Sequence, residues 1–209
     1  MPDAPALTPP FGALLFGLTG CLVDYGGCQA EQLNNEQTFQ PQALCNRPAP
    51  GVLRVLEQIK SRQTRVGWID QLTPDATRVL TSALPDWVQA CGNQRTARPW
   101  PAPDSCWQAL ITLGVDDLQG CVLISGEPRL LQAGLNAGLW TIGLACGGSL
   151  CGLSEEQWRL LDERQREQRR GQATLQLFAL GVHSVIDHLE ALDGSLADIA
   201  QRRLKGEKP

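Results

Sequence analysis

Residues 121–145 read CVLISGEPRLLQAGLNAGLWTIGLA and carry the clearest fold signal in the chain. The apolar runs at 121–125 and 140–145 predict buried strands, because their apolar residues are continuous rather than alternating. The segment near 128–137 between them predicts a short helix. A strand, a helix and a second strand in immediate succession are typical of neighbouring parallel strands joined by a crossover.

The same alternation continues outward from this unit in both directions. Further strands are predicted at 12–18, 64–69, 87–91 and 182–187, and further helices at 50–62, 74–84, 102–113, 154–180 and 188–204. Thr73 is expected to cap the helix that begins at Pro74. We therefore predict an α/β, Rossmann-like, doubly wound parallel sheet that forms one domain over residues 1–209. Residues 1–10 are rich in proline and are expected to form a loose N-terminus.

Charge and composition exclude several classes of protein. The formal net charge is −4 over 209 residues, so a nucleic-acid partner is not expected. No apolar run reaches the ~20 residues of a membrane span. The segment before Cys21 carries no Lys or Arg, unlike a secretory leader, and we expect a cytoplasmic protein. The eight cysteines form no C-x-x-C pair and are expected to be reduced, mostly buried thiols.

Ligands of a doubly wound sheet bind at the carboxyl ends of its strands, so the loops there hold the candidate functional residues. The ligand-binding candidates are Thr19, Cys21, Asp24, Asp70, Arg98 and Glu127. Several have plainer alternatives: Asp24 and Asp70 as caps of turns or helices, Cys21 as a small buried residue, and Arg98 as a solvated loop residue. Trp68 and Trp100 fall in the same loops, where an aromatic side chain could serve a partner protein.

Several motifs resemble the phosphonoacetaldehyde hydrolase (phosphonatase) branch of the haloacid dehalogenase superfamily. GLNAGLWTIG at 134–143 is similar to GLNAGMWTVGV of that branch, and LSEE at 153–156 is similar to its GLTEEE helix start. GVH at 181–183, RPWPAP at 98–103 and GLTGCLVDYG at 17–26 resemble its GAHY/F, GRPAPWM and DWAGTTVDYG segments. The resemblance covers most of the chain outside residues 28–47 and implies the fold predicted above.

The departures from that family fall on its catalytic positions. The resemblance implies an aspartate nucleophile at the end of the first strand, where this chain has Gly17, and a phosphate-binding hydroxyl where it has Ile69. It also implies two magnesium-binding aspartates, which fall on Gly126 and Leu130. A shift of one residue would leave Glu127 as the single carboxylate. We therefore expect no catalytic residue, no cofactor, and weak or no binding of Mg²⁺.

The family's cap domain is also missing. The resemblance implies a helical cap whose lysine forms a Schiff base with the aldehyde substrate, whereas here the short segment 25–47 stands in its place. Residues 25–46 contain no Lys, because the chain's lysines are Lys60, Lys205 and Lys208. Schiff-base activation in that form is therefore excluded. Loss of the cap is expected to open the carboxyl-end crevice, unless segment 25–47 closes over it.

Together these features predict a cap-less, catalytically inactive relative that binds a partner protein in a regulatory or adaptor role. The contact surface would be the open crevice or the helix at 154–180, in a monomer or weak dimer. A divergent hydrolase of a small phosphate ester or phosphonate, using Glu127, Asp24 or Asp70, is the alternative. A third possibility is a sensor of phosphate or another small anion that uses Arg98 and backbone N–H groups.

Overall fold

A computed structural model describes residues 11–24, 46–91 and 98–209 of the chain. Its six-stranded sheet is entirely parallel and runs in the order β5-β4-β1-β6-β7-β8. These strands are β1 (Ala13–Gly17), β4 (Arg65–Ile69), β5 (Gln89–Ala90), β6 (Cys121–Ser125), β7 (Trp140–Leu144) and β8 (Ser184–Ile186). The predicted doubly wound parallel sheet is confirmed.

The helices connect these strands as crossovers and cover the sheet. They are α1 (Val52–Ser61), α2 (Pro74–Thr81), α3 (Asp104–Thr112), α4 (Pro128–Asn136), α5 (Glu155–Leu160), α6 (Glu163–Leu180) and α7 (Leu192–Leu204). Thr73 caps α2 as expected, since its side chain accepts a hydrogen bond from the Ala76 N–H at 3.4 Å.

Both faces of the sheet are buried, which explains the continuous apolar runs of the central strands. Every residue of β1, β6 and β7 is buried. Residues such as Phe16 and Trp68 pack under α1, α2 and α7 on one face. Leu15 and Ile69 pack under α3 and α4 on the other face, where α6 adds Leu177 to a smaller cluster with α4.

Two features of the described structure differ from the sequence prediction or were missed by it. The helix predicted at 154–180 is two helices, because Leu161 is extended and Asp162 starts α6 with a capping box to Gln165. A two-residue antiparallel ladder, β2 (Val23–Asp24) with β3 (Arg47–Pro48), was not predicted. It joins the two ends of the segment that stands where the cap would be, and residues 25–45 of that segment lie outside the described residues, as do residues 1–10.

Buried thiols account for most of the described cysteines. Cys21, Cys91, Cys106, Cys121 and Cys151 are buried, Cys146 is half-buried, and all six are free; Cys28 and Cys45 lie outside the described residues. Within the described residues, none of the helices is long and apolar enough to cross a membrane.

His183 stabilises the β7–β8 edge of the sheet as a hydrogen-bond acceptor. Its Nδ1 accepts a hydrogen bond from the Thr141 N–H at 3.0 Å and lies 2.9 Å from the Thr141 hydroxyl. Its ring packs 4.8 Å from that of Trp140, and Arg202 lies over the same indole. Burial, with a smaller effect of the Arg202 charge, lowers the pKa of His183 below its usual 6.5.

We expect protonation of His183 to weaken the fold. The unfolded chain binds this proton more readily than the folded one, so the free energy of unfolding should be highest above about pH 6.5 and fall as the pH drops toward the lowered pKa. His183→Asn keeps an acceptor in place of Nδ1 and should flatten this dependence in urea unfolding between pH 5.5 and 7.5.

His188→Gln is the matched control, since it replaces the other histidine of the chain, which is exposed. It should keep the wild-type dependence. If the free energy of unfolding depended on pH as steeply in His183→Asn as in the wild type, the role assigned to His183 would be wrong.

Candidate functional site

Four loops meet at the carboxyl edge of the central strands and form what we call the crevice. They follow β1 (Leu18–Cys21), β4 (Asp70–Thr73), β6 (Gly126–Glu127) and β7 (Ala145–Gly152). β1 lies between β4 and β6, so Gly17 at its carboxyl end is the centre of this edge. Ligands of doubly wound sheets bind at this edge, which makes the crevice the first place to look for a site.

The space beside Gly17 is already filled. A Cβ atom added to Gly17 would lie 2.6 Å from the Ser125 hydroxyl oxygen and 3.3 Å from Leu130 Cδ2. Ser125 is fully buried, and its hydroxyl accepts a hydrogen bond from the Glu127 N–H at 3.0 Å, which fixes its position. A side chain at residue 17 would therefore have to displace Ser125, and an apolar residue borders the same space.

Gly126 is closed in by backbone rather than by side chains. A Cβ added there would lie 2.6 Å from the Gly147 carbonyl oxygen and 2.8 Å from that of Gly20. Gly148, whose φ is +82°, is equally tight, since its Cβ would lie 2.2 Å from the Gly126 carbonyl oxygen. The loops after β1, β6 and β7 thus pack backbone against backbone, and we call this contact the glycine junction (Gly20, Gly126, Gly147, Gly148).

Asp70 ties the loop after β4 to the loop after β1. Its carboxylate accepts hydrogen bonds from the Thr19 N–H at 3.0 Å, the Thr19 hydroxyl at 2.8 Å and the Gln71 N–H at 2.7 Å. Burial raises the pKa of Asp70; the hydrogen bonds oppose this shift, and the charge of Glu127 adds slightly to it. Thr19 and Asp70 therefore lie together at this edge and bind each other.

Three further positions belong to this edge, and the structure describes the side chains of two of them. Glu127 caps α4, because its side chain accepts a hydrogen bond from the Arg129 N–H at 3.2 Å. Ile69 is fully buried in the core under α3 and α4. Asp24 is the second residue of β2, and its side chain lies outside the described residues.

Cys21 lies inside the protein rather than in an open crevice. It is 1% exposed, its thiol lies 3.5 Å from the Ile124 carbonyl oxygen, and burial strongly raises its pKa. A thiol must lose its proton to act as a nucleophile. The arrangement favours the small buried residue over the nucleophile.

Arg98 forms an ion pair with Asp104. Its Nε donates to the Asp104 carboxylate at 3.1 Å, and this contact lowers the pKa of Asp104. Most of the Arg98 side chain remains in solvent. Arg98 thus forms a surface ion pair at the start of α3.

The expected exposure of Trp68 and Trp100 is wrong. Trp68 is 4% exposed, because alternate residues of β4 face the helices on either side of the sheet. Trp100 is 8% exposed, packs against the α3 and α4 side of the core, and donates its indole N–H to the Ser105 hydroxyl at 3.0 Å. The loop at 98–103 is held down by α4, since Arg129 donates to the Trp100 carbonyl and Asn136 donates to that of Pro101.

A cavity that the sequence did not reveal lies beside the glycine junction. Its volume is about 60 Å³, and Gly20, Cys21 and Gly147 form one side of it. The other walls come from the loops around β3, β7 and β8 and from α5, and consist of Ala49, Pro50, Leu144, Cys146, Leu153, Ser154, Glu155, Trp158, Asp187, His188 and Leu189. The sequence could not indicate this site, because it is assembled from five separate stretches of the chain. The described residues contain no group of three or more His, Cys, Asp or Glu side chains placed to hold a metal ion.

Comparison with known proteins gives named relatives. The chain is 33% identical over 168 residues to phosphonoacetaldehyde hydrolase of Vibrio cholerae, an alignment that covers 78% of this chain and 62% of that protein. It is 34% identical over 171 residues to phosphonoacetaldehyde hydrolase of Bordetella pertussis, with 78% and 61% covered. The chain thus spans about three fifths of the length of these curated relatives. No protein-family model matches the sequence.

Solved structures share this fold. A phosphonoacetaldehyde hydrolase-like protein from Oleispira antarctica superposes with a TM-score of 0.82 at 20% identity, and all of both chains is covered. Another solved chain, 52% identical, superposes with a TM-score of 0.86 over 96% of this chain and 100% of its own length. The sequence relatives and the shared fold together identify the chain as a phosphonatase-like protein of the haloacid dehalogenase superfamily, a hydrolase family.

Proposed function

We propose that this chain does not hydrolyse phosphonates or phosphate esters and acts instead as a binding protein on a haloacid dehalogenase-type scaffold. The observation that carries the proposal is the filled space beside Gly17, where the Ser125 hydroxyl would lie 2.6 Å from an added Cβ. The family's resemblance places the attacking aspartate at this residue, and covalent catalysis requires that carboxylate. The carboxylate is absent, and a side chain at this position would first have to displace the Ser125 hydroxyl.

The residues at the expected magnesium site do not fit the ion. Mg²⁺ prefers carboxylate and water oxygens in octahedral geometry. Gly126 offers no side chain and is enclosed by the backbone of Gly20 and Gly147, and Leu130 is apolar. The one nearby glutamate, Glu127, caps α4.

The arm formed by α5 and α6 is our candidate for the contact with a partner protein, now that Trp68 and Trp100 are found buried. α5 buries none of its residues, and its Leu160 is 87% exposed. Leu175 and Phe178 are exposed on α6, three residues apart and so on one side of the helix. Exposed apolar side chains that lie side by side, as Leu175 and Phe178 do, are typical of interaction surfaces.

A divergent hydrolase is the second candidate, and the observation that favours it is the buried Asp70 with the half-buried Glu127 near enough to affect its charge. Asp70 is 6% exposed, and its raised pKa is a property that general acids share. Against it stand the three hydrogen-bond donors from Thr19 and Gln71 that already occupy this carboxylate.

Purified protein is expected to give no turnover above background with p-nitrophenyl phosphate or phosphonoacetaldehyde, with or without millimolar Mg²⁺. Mg²⁺ should also leave the melting temperature unchanged, because an ion that binds the folded state raises it. Turnover of ~1 s⁻¹ or more, or a rise in melting temperature with Mg²⁺, would contradict the proposal if the observed effect were lost in the Glu127→Ala variant.

The filled position can be tested without an activity. Gly17→Ala should destabilise the fold by about 1–3 kcal/mol in denaturant unfolding, because the new Cβ meets the Ser125 side chain. Ser125→Gly removes that side chain, so it should offset much of this cost in the double variant. Gly171→Ala is the control, since a Cβ there meets nothing within 4 Å. Additive effects of the two substitutions would show that the space beside Gly17 is open.

Asp70→Ala separates the structural role of this carboxylate from a catalytic one. Because it strips buried N–H donors of their acceptor, we expect a loss of about 1–3 kcal/mol of unfolding free energy. Asp86→Ala, at an exposed residue, should cost less than about 0.5 kcal/mol. Unchanged stability in Asp70→Ala together with loss of a measurable hydrolase activity would favour the divergent enzyme.

A further inference from the structure

The cavity beside the glycine junction has a buried apolar floor and a rim that meets solvent. Its floor is lined by the buried side chains of Cys21, Leu144 and Leu189. At its rim, Trp158 is half-buried and His188 is exposed. The volume is about 60 Å³, and a water-sized group needs roughly 10–15 Å³ of such space, so the cavity has room for about four or five of them.

The two thiols of the lining add no charge to it. The Cys21 thiol lies 3.5 Å from the Ile124 carbonyl oxygen, and burial strongly raises its pKa. Burial, with a smaller effect of the Asp187 charge, raises the pKa of Cys146 to about 12. Both thiols are therefore protonated at neutral pH, and a protonated thiol behaves as a small apolar group.

The carboxylates of the lining are already paired with arginines. Asp187 lies 3.4 Å from Arg170, and Glu155 pairs with Arg159 along α5. A charged ligand would have to compete with these arginines, so the lining carries no free charge that would select an ion.

The other hydrogen-bonding groups of the lining are also satisfied within the protein. The Ser154 hydroxyl accepts from the Gln157 N–H at 3.1 Å, and the Cys146 N–H donates to the Asp187 carbonyl at 3.2 Å. In the part of the chain that the structure describes, no buried side-chain nitrogen or oxygen lacks a hydrogen-bond partner. A polar group on the cavity floor would therefore lose its bonds to water and find few in return.

Water itself is held weakly by such a lining, because a well-ordered buried water needs two to four polar partners. An apolar group that displaces poorly ordered water gains affinity. The floor thus favours hydrocarbon, whereas a polar end of the same molecule keeps its water at the rim.

We propose that this cavity binds a small neutral molecule through a short hydrocarbon chain of about four carbons, with the chain on the floor formed by Cys21, Leu144 and Leu189 and any polar end at the rim.

The cavity adjoins the crevice, since Gly20, Cys21 and Gly147 belong to crevice loops. The inference therefore rests on the proposed binding function and gives it a ligand class. The two fail separately, however. Absence of ligand binding would overturn this inference alone, whereas turnover in the hydrolysis assay would overturn the proposed function alone.

The probe is butan-1-ol, titrated against the full chain by ligand-observed NMR. Its matched comparison is 2-methoxyethanol, which has the same number of non-hydrogen atoms but an ether oxygen in place of one methylene group. We expect butan-1-ol to bind at millimolar concentrations, about fivefold or more tightly than 2-methoxyethanol, because the ether oxygen would be buried without a donor. Equal affinities, or no binding of butan-1-ol, would overturn the proposal.

Charged analogues test whether the site selects a neutral molecule. Butyrate and n-butylammonium carry the same length of chain and should bind no more tightly than butan-1-ol, because the carboxylates of the lining are already paired. Tighter binding of either ion would overturn the proposal.

Variants locate the bound chain. Leu153→Ala and Trp158→Leu each remove apolar lining and should weaken butan-1-ol binding about threefold or more. The matched controls are Leu53→Ala on α1 and Trp107→Leu on α3, which lie outside the lining and are partly exposed; both should bind as the wild type does.

Ala49→Leu fills the cavity without removing any of its lining. It should abolish butan-1-ol binding while the melting curve stays cooperative, so the test remains decisive if Trp158→Leu does not fold. Ala179→Leu, which adds the same atoms at an exposed residue of α6, is its control and should bind normally. Binding that survives in Ala49→Leu would show that butan-1-ol binds elsewhere and would overturn the proposal.

Discussion

The backbone contact between Gly20, Gly126 and Gly147–Gly148 is the constraint on which the carboxyl edge of this protein depends. Each loop can approach the others only because these residues lack a Cβ atom, and the atoms that a Cβ would meet are carbonyl oxygens and Cα atoms rather than flexible side-chain ends. A side chain at any of these positions would have to move a whole loop, and each loop is anchored at the end of a buried strand. The close approach therefore fixes the positions of the three loops relative to one another at this edge.

The residues around Gly17 also depend on one another, because they share a small buried space. An aspartate at residue 17 and carboxylates at residues 126 and 130 would place several negative charges in one buried space, and a bound cation would be needed to stabilise them. Here Ser125 fills the space beside Gly17, Leu130 borders it, and Gly126 lets the backbone close. Gly17 and Leu130 are thus neutral and close together, and Gly126 is enclosed by Gly20 and Gly147, so an acidic residue introduced at one of the three positions alone would bring an unpaired charge or a clash. We therefore expect a single acidic substitution at any of these positions to destabilise the protein.

The sequence predicts the scaffold well because the scaffold is encoded locally. Continuous apolar runs such as CVLIS mark strands covered on both faces, and Thr73-Pro74 marks the start of α2. The break at Leu161 was missed, although Asp162 followed three residues later by Gln165 is a capping box that could have revealed it. The burial of Trp68 was missed because the residue was assigned to a crevice loop, whereas it lies one residue inside β4 and faces the helices.

The site is harder to predict, because its properties arise between loops that are distant in sequence. The sequence shows glycine at residues 20, 126, 147 and 148, but it does not show which backbone atoms each glycine contacts in the folded protein. The cavity likewise is assembled from segments more than 100 residues apart. The hydrogen bonds of the polar groups at the crevice are an example. Asp70 binds Thr19 and the Gln71 backbone, Ser125 accepts from the Glu127 N–H, and Glu127 accepts from the Arg129 N–H. In each case the polar group holds a loop in place through a contact within the protein, and only the three-dimensional structure shows which partner the group takes.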